Sequence, residues 1–188
     1  MDKNIREIME VSEKMQHLKN DDNALIEALN KLSEGKLTEI KLYLASTSGE
    51  KINKIRLHVL DYLISNRAIT KEVIEDVKNE VNALYPTDIL HSWKSYFSLF
   101  YIFFYCGIRA GIKRQLKELS ASLNNDLKLT EFSASKEVDF DGVQNFGADS
   151  AWIAIYNKKQ PNQSFSLQLF VNFSYPEVSY GLFEYHNP

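Results

Sequence analysis

Near Asp126 the spacing of apolar residues changes from helical to alternating, and this change limits the folds open to the chain. Before it, Ile52, Ile55, Val59, Leu60 and Leu63 fall on one helical face, and Ile74, Val77, Val81 and Leu84 repeat the pattern in the next segment. After it, Phe165, Leu167, Leu169, Val171 and Phe173 alternate with Ser166, Gln168, Phe170 and Asn172, which predicts a half-buried strand. Ala151 to Tyr156 and Val178 to Tyr185 read as further strands, and Leu127 and Leu129 as a weaker first one. The expected fold class is α+β: an N-terminal helical unit over residues 1–125, then an antiparallel β-meander over 126–188 packed on the helices. The chain stops at Pro188 directly after a strand, so the β unit is expected to be truncated, a fragment of something longer.

Turn chemistry divides the helical part. Asp22 or Asn23 is placed to cap a helix carrying Leu25, Leu29 and Leu32, Gly35 to end it, and Thr70 and Thr87 to open later ones. Pro86 separates two helices. The region from Asp88 to about Ser120 is too long for one unbroken helix, and a bend is expected near Gly107 or Gly111. Within it, residues 95–108 carry no charge. A membrane span needs about 20 apolar residues, so burial inside protein is the better reading of this shorter run, which also holds Tyr and Ser. Its aromatic part, Trp93 to Tyr105, suits a central helix wrapped by others.

At 188 residues, with 44% hydrophobic and 25% charged, the chain has the composition of a folded domain. Cys106 is the single cysteine, and the first twenty residues lack the apolar centre of a secretion signal. A cytoplasmic location without membrane partners is expected. The four histidines stand apart, no HExxH or paired CxxC occurs, and Ser48 to Lys54 lacks the ending of a phosphate-cradling loop. Neither a metal nor a cofactor is expected. Glu39, Lys41, Asp21 and Asp22 have the residue types of a metal-dependent nuclease but read better as a helix surface and cap, and Asp139, Asp141 and Asp149 as a solvated loop.

Charge is uneven. Residues 126–188 carry a net −4 and the preceding 125 a net +1, so the β part is not a basic plate for nucleic acid. Arg109, Lys113 and Lys117 recur every four residues with Arg114 alongside, either a solvated helix face or a phosphate-contacting ridge.

The stretch NFGADSAWIAIYN, followed by SLQLFVNF and VSYGLFEY, resembles the N-terminal DNA-recognition domain of McrB-like modified-cytosine restriction proteins. The resemblance rests on Asn145, Phe146, Trp152, Ile153, Ala154, residues 167–170, Tyr180 and Gly181, and covers about a third of the chain. It implies a module without catalysis of its own that binds double-stranded DNA and holds a flipped modified base in a pocket. A downstream AAA+ motor domain or nuclease subunit would supply cleavage. The implied pocket residues are Trp152, Asn145, Phe146, Leu169 and Tyr180, with Arg109, Lys113, Arg114 and Lys117 on phosphates. Trp152, Ala154 and Tyr156 share one strand face, so Trp152 is either a pocket wall or a core anchor. The alternative function is a protein-interaction or scaffold module that docks a partner through its aromatic helix.

Overall fold

The computed structural model describes residues 2–46, 51–66, 68–84, 97–131, 133–141 and 147–184. Helices come first and a four-stranded antiparallel sheet last, in the order expected for an α+β chain. Contacts nevertheless divide the chain differently from the change in periodicity. One compact unit holds residues 17–106, and the other joins residues 1–16 to residues 107–188. Periodicity reports the secondary structure of a segment, whereas unit membership depends on which apolar faces meet.

The unit of residues 17–106 is helical. It contains α2 (Asp22–Asn30), α3 (Glu34–Ser46), α4 (Lys51–Ser65), α5 (Lys71–Leu84) and the short turns α6 (Phe97–Phe100) and α7 (Ile102–Tyr105). Asp21, one residue earlier than expected, caps α2 by accepting from the Asn23 and Ala24 amides at 2.9 and 3.2 Å. Gly35 does not end a helix but lies in the first turn of α3, where an added Cβ would meet nothing within 4 Å. Lys31 caps the end of α2 instead, and Asn30 beside it ties the helix to the chain before α5, its amide nitrogen donating to the Ile69 carbonyl and its oxygen accepting from the Ile69 amide, both at 2.8 Å. Thr70 opens α5 as expected; Thr87 and Pro86 lie outside the described residues.

Packing in this unit follows the helical spacing. Ile55, Val59, Leu60 and Leu63 of α4 are buried, as are Ile74, Val77 and Val81 of α5, while Leu84 at the helix end is exposed. The aromatic run supplies Phe97, Leu99, Phe100, Tyr101, Ile102, Phe103 and Tyr105, all buried. Its described part, residues 97–105, consists of two short helical turns that meet at Tyr101, whose own backbone is helical and whose amide donates to the Phe97 carbonyl. Fully buried Arg56 of α4 sits over the Tyr101 ring, 5.2 Å from its centroid, where the guanidinium face meets the ring's electron-rich face.

The second unit is built on the sheet. Its helices are α1 (Lys3–Asn20, through Gln16) and α8 (Arg109–Asp126), and its strands are β1 (Ser133–Val138), β2 (Ser150–Asn157), β3 (Gln168–Ser174) and β4 (Glu177–Phe183) in the order β1-β2-β3-β4. The expected bend near Gly107 is the turn at residues 106–108, after which α8 begins. Leu127 and Leu129 do not form a strand. Leu127 caps the end of α8 and Lys128 turns the chain with a φ of 56°, so the first strand starts at Ser133. Phe165 lies in a 3₁₀ turn, Gln163–Phe165, and both it and Leu167 stay exposed, so the alternation becomes a strand only from Gln168.

Strand alternation gives the sheet two faces. The register pairs Ser135 with Ile155, Glu137 with Ile153 and Ala151 with Phe173, placing these residues on one face. That face meets α8, and Ala151, Ile153, Ile155 and Phe173 are buried there. Helix α1 is tied to α8 through the Gln115 amide donating to the Glu7 carboxylate, and through Asn4 and Glu118. It is tied to the sheet by Ser12, wholly buried, whose hydroxyl donates to the Asp149 carbonyl and accepts from the Tyr175 amide at 2.9 Å. One buried hydroxyl thus bonds two backbone groups at the sheet's loop ends.

Candidate functional site

The face of the sheet opposite α8 carries Lys136, Val138, Trp152, Ala154, Tyr156, Gln168, Phe170 and Asn172. Trp152 is half-buried, neither enclosed in the core nor free of it. Its ring lies 5.4 Å from that of Phe170 at 39°, and Phe170 in turn lies 6.5 Å from half-exposed Phe183. Lys136 Nζ approaches the Trp152 ring to 5.9 Å, within reach of a cation–π contact. Small Ala154 separates Trp152 from Tyr156 along β2 and is fully buried beneath the larger side chains. The result is a row of tilted rings with amide groups from Asn172 and Gln168 on the same face. Chemically, such a surface offers stacking to a flat guest and, from half-buried Asn172, a hydrogen bond at its border, while Gln168 is buried.

The residues implied by the resemblance do not gather at one point. Leu169 and Tyr180 project from the other side of the sheet, because Leu169 is offset by one residue from Phe170 and Tyr180 pairs with Val171. A one-residue offset in a strand reverses the face, so neither borders the Trp152 ring. Asn145 and Phe146 lie outside the described residues.

The basic stripe of α8 is divided too. Arg109 is turned inward: its Nε lies 3.1 Å from Asp139 Oδ2, one terminal nitrogen lies 3.2 Å from Asp141 Oδ2, and the other donates to the Asp141 carbonyl at 3.3 Å. The two carboxylates are almost fully buried, not solvated in a loop, and Asp139 also accepts from the Asp141 amide at 3.1 Å. Arg109 therefore latches the start of α8 to the chain just after β1, its planar fork matching two carboxylates at once. Lys113 is exposed and reaches Asp139 at 3.7 Å. Arg114 lies 3.8 Å from Glu118 and borders a groove of about 520 Å³ between α1 and α8 together with Glu7 and Glu10, so acids offset its charge. Lys117 borders a polar groove of about 380 Å³ between α8 and β1, with Asn124, Ser133, Ser135 and Glu137.

Lys113 and Lys117 thus flank β1 on the α8 side, and Lys136 of β1 projects from the other. Lys136 was not singled out from the sequence. Its signal, a lysine two residues before apolar Val138 in a polar strand, becomes legible only through the register Val138↔Trp152.

The acids and lysine near residue 40 are structural. Asp21 caps α2, Glu39 pairs with Lys36 at 2.9 Å and Lys41 with Asp61 at 2.8 Å. Among the described residues no cluster of three or more His, Cys, Asp or Glu is arranged to hold a metal ion, and no helix is long and apolar enough to cross a membrane. The aromatic run expected to dock a partner is buried inside its own unit, apart from half-buried Phe104, and residues 93–96 lie outside the described residues. Comparison of the chain with protein-family models, with curated proteins and with solved structures finds no match.

Proposed function

We propose that this chain is a DNA-recognition module of a modification-dependent restriction or phage-defence system, and that a flipped modified base stacks on the Trp152 side of the sheet. The observation that carries this reading is the half-buried indole of Trp152, held against Phe170 on the face that α8 does not cover. Unstacking a base costs a few kcal/mol, and an aromatic surface returns about 1–3 kcal/mol per base. Phe170 fixes the tilt of the indole, and Asn172 stands across from it in the register to meet a base edge. Lys136, with Lys113 and Lys117 on the far side of β1, gives the phosphate backbone cations along that strand, although the surrounding segment is acidic overall. The module binds without cutting, and a motor domain or nuclease subunit in the same system performs cleavage.

The test is a binding titration of methylated and plain duplex at two salt concentrations, with Trp152→Ala as the variant. The expected result is preference for methylated duplex, weakening with salt, and loss of that preference in the variant with its melting transition retained. Equal affinity of the parent protein for the two duplexes ends the reading.

A further inference from the structure

The two edges of the sheet are unlike. β1 is short of apolar residues, carries Lys136 and Glu137 side by side, and has α8 packed along it. Charges and a covering helix are the usual means of keeping an edge strand from pairing with another chain. Among the described residues β4 has little of either. Its sequence EVSYGLF has one charge, Glu177 at its start, no proline, and among the described residues no strand on its outer side. It is also where exposed apolar area collects. Tyr180 is 81% exposed, Leu182 72% and Phe183 50%, and Phe165, Leu167 and Tyr175 of the adjoining loops are exposed as well.

We propose that β4 is a self-association edge whose partner is β4 of a second copy of this chain, paired antiparallel about a two-fold axis at Tyr180. The strand is complementary to itself in that register. Val178 faces Leu182, Tyr180 faces Tyr180 and Glu177 faces Phe183, so apolar residues meet on one face and no carboxylate opposes another. A two-fold perpendicular to the sheet keeps corresponding faces on the same side, and the two four-stranded sheets become one of eight strands. Seven paired residues span roughly 24 Å, a small contact that fits association in about the micromolar range. The edge lies two strands away from β2, so pairing there leaves the Trp152 ring itself uncovered, although Phe183 at the far end of the row of rings belongs to the paired strand.

Sedimentation equilibrium of the full chain from about 1 to 200 µM tests it, with Tyr180→Lys and Tyr180→Glu measured singly and as an equimolar mixture. At a two-fold position each variant opposes its own charge, whereas the mixture opposes lysine to glutamate. The expected result is a reversible dimer for the parent chain, association at least about tenfold weaker for each variant alone, and recovery of the dimer on mixing. Recovery also shows that the variants are folded. A parent chain that stays monomeric throughout, a dimer indifferent to Tyr180→Lys, or variants that do not associate when mixed would each overturn the proposal.

Discussion

The molecule holds two groups of aromatic rings, one contiguous in sequence and the other drawn together from three strands, and they differ in how far they are covered. Phe97, Phe100, Tyr101, Phe103 and Tyr105 are buried to within a few per cent, packed with α4 inside the helical unit. Trp152, Phe170 and Phe183 touch each other just as closely yet keep part of their area open on one face of a sheet. The difference lies in the number of covered sides. A segment with apolar residues at consecutive positions needs cover all round, whereas a strand sends alternate residues to opposite faces and needs cover on one. Aromatic density in the sequence therefore marks core in the first group, whereas the second is assembled by strand pairing and keeps ring area exposed.

Paired substitutions would break this comparison most directly. Phe103→Ala empties a fully enclosed site and is expected to cost about 3–5 kcal/mol, whereas Trp152→Ala, losing a half-exposed ring, is expected to cost about 1–2 kcal/mol. Urea melts of the two variants decide it, and equal losses would mean that Trp152 belongs to the core after all. The next effect is the latch of the sheet unit. Arg109→Met leaves Asp139 and Asp141 buried beside an uncharged side chain and is expected to remove about 3 kcal/mol, the low end for a broken buried pair, because Lys113 still faces Asp139. Because Arg109 is turned inward, the same substitution is expected to leave the salt dependence of any DNA binding unchanged, while Lys113→Ala or Lys117→Ala lowers its log–log slope by about one each.

The smallest effect belongs to the helical unit. A hydrogen bond from Thr70 holds the Glu72 carboxyl below its ordinary range, with help from the first-turn backbone of α5. A carboxyl that is more acidic when folded supports the fold above the ordinary carboxylate range and loses that support as pH falls through its lowered value. Thr70→Ala is expected to return Glu72 toward the ordinary range in a carbon-detected NMR titration and to cost about 1 kcal/mol as a lost cap.

Legibility followed the strength of local patterns. The buried faces of α4 and α5 and the strand β2 were readable because their spacing repeats over several turns or residues. β1 was not: SASKEV has weak strand propensity, and its strand character comes from pairing with β2 and from α8. Helix ends missed by one or more positions for a similar reason, since Asp21, Asp22 and Asn23 are all competent caps and the surrounding packing selects among them. In the candidate site, Trp152 was visible as an aromatic residue after a turn, but its companions were not. Leu169 and Phe170 are one residue apart, and in a strand that single step decides which face a side chain takes.

The chain by itself determined the order of helices before strands, the alternation of β2 and the lack of charge from residue 95 to 108, because each depends on neighbours within a few positions. Tertiary structure alone decided that Arg109 faces carboxylates thirty residues away, that Lys136 approaches the indole, and that residues 1–16 join the sheet unit. Those outcomes depend on which surfaces meet after the chain has turned back on itself. Local spacing holds no record of that choice, since contact energy is shared between residues distant in sequence.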